Sequence, residues 1–304
     1  MKIFLALLIL ILPEAYLHAQ VTINSTEGNP TGNYISLKTS FDAINAGVHK
    51  GKITVTINSS IIETSTARLN GSEGFSSYTS ITIMPSTVCT ISGSLSDALI
   101  NLNGADNVII DGRINGQGST RSLTIQNTYS IGNVRTSTIR FFNGAHHNIL
   151  RYLIVEGSGQ SHDAGTIWIS ESTTAESNSF NVIDNNEIKA SPAGLPAAGV
   201  RAYNHTPFLK GNESNSIINN LIHDFFSKVT THGGIHINYP NTKYLILGNS
   251  IYQTAQIIDT AFYQGHFIYV VYGEGHVIKN NFVGGSAPKG QGNPAKYKGA
   301  ISIV

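Results

Sequence analysis

Five side chains in this 304-residue sequence carry the most recognisable chemistry: Arg140, Trp168, Arg201, Tyr203 and His236. Four of them sit at the centre of short triplets that recur along the chain: Ile139-Arg-Phe, Ile167-Trp-Ile, Val200-Arg-Ala and Ile235-His-Ile, with Phe267-Ile-Tyr and Ile301-Ser-Ile following. If the flanking apolar residues point into a core, the residue between them points out. The outward row is then Arg140, Trp168, Arg201, His236, Ile268 and Ser302. A second row two residues on is Phe142, Ser170, Tyr203, Asn238 and Val270. On stacked strands such neighbours lie about 5 Å apart. Aromatic planes suit sugar rings, and arginine forks suit the carboxylates or sulfates of acidic polysaccharides. The expectation is a glycan-contacting face of Arg140, Trp168, Arg201, Tyr203 and His236. Long connections carrying His162, Asp163, His223, Asp224, Lys228 and His232 would border it. The plainer alternative is that these stacked side chains only cover one another.

Catalysis has less support. Glycoside hydrolysis needs two carboxyl groups flanking the scissile bond, whereas Asp163, Asp184 and Asp224 each stand alone. Pectinase-like hydrolases would show an Asp-Asp pair and a Gly-His-Gly stretch, and Gly265-His266-Phe267 and Gly275-His276-Val277 fail the second test. A polysaccharide lyase needs a base and a group that neutralises the uronate, roles that His236 and Arg201 suit. No cofactor is expected. Calcium would want several oxygen ligands together, and the scattered acids form no obvious cluster. His232 and His236 span a Gly-Gly turn into a strand, a poor metal-binding spacing. Cys89 reads as a buried small apolar residue. His146-His147 and the Asn-Gly-Ala turns read as loop residues, and the glycines at 284–292 lack the setting of a phosphate loop.

The elements that must position these residues are repeats. One eight-residue pattern begins at Asn107, Asn148, Asn181, Asn215, Tyr244 and His276, and the triplets above alternate with it. No single unit can bury its own apolar face, but stacking coils at about 4.8 Å per rung buries all of them. The reading is an all-β, right-handed parallel β-helix (solenoid), the hand following from other parallel crossovers. Asn-Asn pairs fall where the chain bends between strands, and Asn tolerates the left-handed backbone of such bends. Asn186, Asn220, Asn249 and Asn281 share one pattern position and would stack as a structural ladder. Leu37, Phe41 and Ile44 form one face of a short helix ended by Gly47, a cap over the first coil. Strands then follow at Ile53–Ile57, Ile81–Ile83, Val88–Ile91 and Leu99–Leu102.

Composition bounds the rest. A net charge of +1 argues against a general nucleic-acid binder, and one cysteine excludes a disulfide framework or a multi-cysteine zinc site. Met1-Lys2, the apolar run Ile3–Leu12 and Ala19 read as a secretory signal peptide over 1–19, too short to span a bilayer. The cap then occupies 20–50 and the β-helix 51–304. The abrupt stop at Val304 gives the expectation that further C-terminal domains follow in a longer chain.

The runs Leu37-Lys-Thr-Ser-Phe-Asp-Ala-Ile-Asn-Ala-Gly47, Ile53-Thr-Val-Thr-Ile57 and Tyr78-Thr-Ser-Ile-Thr-Ile83 resemble secreted right-handed parallel β-helix repeat proteins of bacteria that use type IX secretion. Leu102-Asn-Gly-Ala-Asp-Asn-Val-Ile-Ile-Asp-Gly112 and Ser137-Thr-Ile-Arg-Phe-Phe-Asn-Gly-Ala145 carry the same resemblance, which covers residues 33 to 160. It implies a protein secreted or held on the outer cell surface, commonly with a C-terminal sorting domain, and it brings no catalytic motif. The sequence reading is therefore an exported, non-catalytic, carbohydrate-contacting or adhesive segment. A lyase or hydrolase is the first alternative and a structural spacer of an adhesin the second.

Overall fold

The computed structural model describes residues 19–131, 135–204, 210–255, 264–293 and 299–304; residues 1–18, nearly all of the expected signal segment, lie outside the described residues. Alternation of apolar and polar residues over three to six positions makes strands whose inner side chains need cover. The chain supplies that cover by coiling. Each turn lays one strand in each of three sheets, as in Val182–Asp184, Glu187–Ala190 and Ala198–Ala202. The first sheet has ten strands and the second and third eight each, all parallel except for two at the N-terminal edge. The fold is a parallel β-solenoid.

Register stacks like on like. Val55, Ile83, Ile110, Leu150, Ile183, Ile217, Ile246 and Ile278 form one inward column of the first sheet. Ile61, Ile91, Ile125, Val155, Ile188, Ile222, Ile251 and Val283 form its counterpart in the second. The eight-residue pattern starts one residue differently from the sequence reading in its first copy. Ile109 pairs with Ile149, so Val108 rather than Asn107 lies opposite Asn148. Asn107 instead takes a left-handed φ of 57°, as do His147, Phe180, Ser214 and Lys243 on later rungs.

The corner between the first and second sheets explains the Asn-Asn pairs. Asn185, Asn219 and Asn280 adopt left-handed φ, and the next residue is the ladder asparagine. Asn186 Nδ2 donates to Asn220 Oδ1 at 3.1 Å, Asn220 to Asn249 at 3.0 Å and Asn249 to Asn281 at 2.9 Å. Two more buried ladders run alongside: Asn148–Asn181–Asn215, which ends on the Tyr244 hydroxyl, and Asn178–Asn212–Asn241. Each ladder satisfies backbone groups that the tight corners would otherwise bury without partners.

At the N-terminal end the helix Leu37–Asn45 buries Leu37, Phe41 and Ile44 against the first coil. Ser36 and Thr39 form a capping box, and the buried Glu63 carboxylate accepts from Leu37 N at 2.7 Å and Lys38 N at 3.2 Å. The strand Val21–Gly28 lies antiparallel to His49–Ile57, and Thr31–Tyr34 folds back on it. This hairpin covers the edge of the first sheet.

Candidate functional site

The third sheet carries the expected row. Register places Arg68, Asn101, Arg140, Trp168, Arg201, His236, Tyr269 and Ser302 in one outward column. Tyr269 takes the place assigned above to Ile268, which pairs with Ile235 and points into the core. Val270, paired with Ile237, is likewise inward. Phe267-Ile-Tyr and Ile268-Tyr-Val alternate equally well in sequence, and only the pairing with Ile235 and His236 selects the second.

The column does not form an open face. Trp168 and Arg201 are 0% exposed and His236 is 2% exposed. Loops entering and leaving the sheet fold over it, and the outward side chains hold them there. Trp168 Nε1 donates to Tyr203 O at 3.2 Å, and the Arg140 guanidinium lies 4.2 Å from the Trp168 ring and 4.0 Å from that of Phe142. Arg140 also donates to Ser170 Oγ at 2.9 Å and Glu171 Oε1 at 3.3 Å. Arg201 donates to the carbonyls of Ser161, His162 and Thr231, fastening two loops at once. Burial pulls its pKa down to about 10. A glycan lying on the surface meets neither the indole nor this guanidinium; only Arg140 and Tyr203 are partly exposed.

The bordering residues divide between two sheets. His162 pairs with Asp163 at 3.0 Å, and Asp163 with Arg135 at 3.1 Å, above the third sheet. His223 and Asp224 lie on the outside of the second sheet, where His223 bridges Asp224 and Glu187. Asp184 accepts from the Asn185 and Asn219 amides of the corner. Lys228 lines a groove of about 430 Å³ beside Gln160 and Phe226. Among the described residues no group of three or more His, Cys, Asp or Glu is placed to hold a metal ion. No described helix is long and apolar enough to cross a membrane. Cys89 is buried, which pushes its thiol up to about 11.

An open concavity lies where the chain passes from the third sheet to the first. It is a cleft of about 570 Å³ spanning successive rungs. Its wall is a partly buried ladder: Asn103 Nδ2 donates to Asn70 Oδ1 at 2.9 Å and Asn143 Nδ2 to Asn103 Oδ1 at 2.8 Å. Each of these asparagines precedes a glycine. At Gly71 a Cβ would stand 2.6 Å from Gly104 O, so glycine lets the wall close up. Glu73, Asp106, Glu176 and His146 supply the ionisable side chains of the lining, with no lysine or arginine among the described residues there. Asp106 accepts from His146 N at 2.9 Å and meets the ring Nδ1 at 3.1 Å. Burial holds the Asp106 carboxyl above its ordinary range, and the charge of Glu73 pushes the same way against the pull of His146.

Ring faces line the same edge. Phe75 is 85% exposed, Phe180 stacks on His147 at 5.0 Å, and Tyr239 and Tyr272 each follow the paired Ile237 and Val270 by two residues, both exposed. Leu69-Asn-Gly71, Leu102-Asn-Gly104 and Phe142-Asn-Gly144 were the sequence signal for this cleft. Read one at a time they are turns; read together they are a wall.

No protein-family model, curated protein or solved structure matches the chain.

Proposed function

We propose that the protein is an exported bacterial β-solenoid, secreted or held at the outer surface, that contacts carbohydrate along its third-to-first edge. The observation that carries this reading is the open cleft walled by Asn70, Asn103 and Asn143. Amides and carboxylates supply paired donors and acceptors for sugar hydroxyls. The exposed rings at Phe75, Phe180, Tyr239 and Tyr272 supply stacking faces along the same edge. Carboxylates without a lining cation favour neutral or amino sugars and repel uronates. The apolar leader at Ile3–Leu12 and the resemblance to type IX-secreted β-helix proteins support export.

Affinity electrophoresis against neutral, amino and acidic polysaccharides tests the reading, with products assayed in parallel. Retardation by a neutral or amino polysaccharide is expected, weakened about tenfold in Glu73→Gln, a loss of about 1.4 kcal/mol. Release of reducing ends would replace binding by hydrolysis, with Glu73 and Asp106 as the carboxyl pair. Neither retardation nor products would leave the molecule a spacer.

A further inference from the structure

The three outer faces of the coil differ in character. Loops fold over the third sheet, and on the second Glu156, Lys189, Glu187, His223 and Asp224 pair with one another. The first sheet is aliphatic over four consecutive strands, Val182–Asp184, Ser216–Ile218, Leu245–Leu247 and Val277–Lys279. Their middle residues, Ile183, Ile217, Ile246 and Ile278, point into the core, so the residues on either side point out. Register sets these in two columns: Val182, Ser216, Leu245 and Val277 in one, Asp184, Ile218, Leu247 and Lys279 in the other. Val182, Ile218, Leu245 and Leu247 are partly exposed, and Val277 is 45% exposed. The loop of residues 112–122, held to Asn185 O by Arg121 at 2.8 Å, bounds this patch at its early end. A charge stands at each end of the second column. Asp184 Oδ1 accepts from the neutral amides of Asn185 at 2.8 Å and Asn219 at 3.2 Å, and its register neighbour Arg151 is turned to Asp111 Oδ2 at 2.9 Å. Lys279 is exposed, and neither it nor Asp184 has an ion-pair partner among the described residues. Three rungs, about 14 Å, and the apolar Ile218 and Leu247 separate the two, so they do not meet within one chain.

We propose that this patch is an interface between two copies of the chain, stacked face to face with their solenoid axes antiparallel. The twofold axis runs along the strands, midway between Ile218 and Leu247. Such an axis keeps each column opposite itself and reverses the order of the rungs. Asp184 then faces Lys279 of the partner subunit, and the same ion pair forms again on the other side of the axis. Between these pairs Ile218 meets the partner's Leu247, Val182 the partner's Val277 and Ser216 the partner's Leu245. At the margin Lys243, which pairs with Glu213 at 3.1 Å in its own chain, comes beside the partner's Glu213. Charge fixes this register. A slip of one rung sets Lys279 against the partner's Arg151 in one direction and the partner's Ile218 in the other, leaving Asp184 without its partner in both. The aliphatic centre supplies the attraction, and the two symmetric ion pairs at its rim select the alignment.

Sedimentation velocity of the whole chain from about 1 to 100 µM tests the interface, and a reversible monomer–dimer equilibrium within that range is expected. Asp184→Lys and Lys279→Glu each set like charges opposite one another twice per dimer, and each should weaken association at least about tenfold. The double variant rebuilds both pairs with their signs exchanged and should bring association back to within about threefold of the unaltered chain, a recovery that surface damage alone does not give. Leu247→Glu should leave only monomer. All of these positions point away from the core, so circular dichroism should be unchanged in every variant. A chain that stays monomeric at every concentration, single reversals that associate as strongly as the unaltered chain, or a double variant no stronger than either single one would each overturn the assignment.

Discussion

His223 shows how a single residue ties neighbouring rungs together. Its Nδ1 lies 2.9 Å from Asp224 Oδ2 and its Nε2 3.2 Å from Glu187 Oε1, with the ring stacked on Tyr252 at 4.7 Å. Burial opposes charging of the ring, but the Asp224 and Glu187 carboxylates outweigh it and raise the pKa. Glu187 moves the other way, down to about 2, through its hydrogen bond from His223 with burial opposing. A raised histidine stabilises the fold fully below its unfolded value of 6.5, and that contribution fades as pH climbs through the folded value. A lowered glutamate contributes fully above its unfolded value of 4.5 and loses this as pH falls toward about 2. Both act together between pH 4.5 and 6.5. Urea denaturation across pH should place this pair's maximum there, and Glu187→Gln should flatten the profile while costing about 1–2 kcal/mol at pH 5.5. At this scale the sequence told less about sites than about sides. Alternation correctly put Arg140, Trp168, Arg201 and His236 outward, but it holds no information on whether a loop thirty residues away lies over them.

Among the elements, the ladders and the cap make separable contributions. Asn220 accepts from the backbone N–H and the amide of Asn186, and donates to Ile183 O and Asn249 Oδ1. Asn220→Ala therefore strands several buried groups and should cost at least about 2 kcal/mol in urea denaturation. Asn281→Ala, at the partly exposed end of the same ladder, should cost less than half of that. Glu63→Ala removes the acceptor of two helix N–H groups and should cost about 1–3 kcal/mol, with loss of helical circular dichroism from Leu37–Asn45. The helix was legible because Leu37, Phe41, Ile44 and Gly47 fit a short amphipathic template. The hairpin of Val21–Gly28 and Thr31–Tyr34 was not: Thr-Glu-Gly-Asn-Pro-Thr-Gly reads as a loop, and only pairing with His49–Ile57 makes its flanks strands. The strands Ile61–Glu63 and Ala67–Asn70 are not legible in sequence for a related reason, since three or four residues are too few to show a period.

For the whole molecule, contacts run from rung to neighbouring rung, so stability is close to a sum of local terms. Hydrogen exchange should be slowest in the central rungs around Val182–Ile222. Asn220→Ala should raise exchange there while leaving the capped N-terminal rungs protected; uniform acceleration along the chain would show a single cooperative unit instead. The solenoid itself was readable because its repeat unit recurs more often than its loops can obscure. The cleft was not, because its wall draws one residue from each of several rungs, and only the strand register brings Asn70, Asn103 and Asn143 together.

The three buried asparagine ladders share a direction. In each, the side-chain nitrogen donates to the oxygen one rung later, from Asn148 to Asn181 to Asn215, from Asn178 to Asn212, and from Asn186 through Asn220 and Asn249 to Asn281. Amide dipoles aligned in this way add instead of cancelling, as peptide dipoles do along a helix. The rungs from Asn148 to Asn281 therefore carry an axial dipole from these buried amides, independent of the nearly balanced formal charge, while the cleft ladder of Asn143, Asn103 and Asn70 donates the opposite way and offsets it in the earlier rungs.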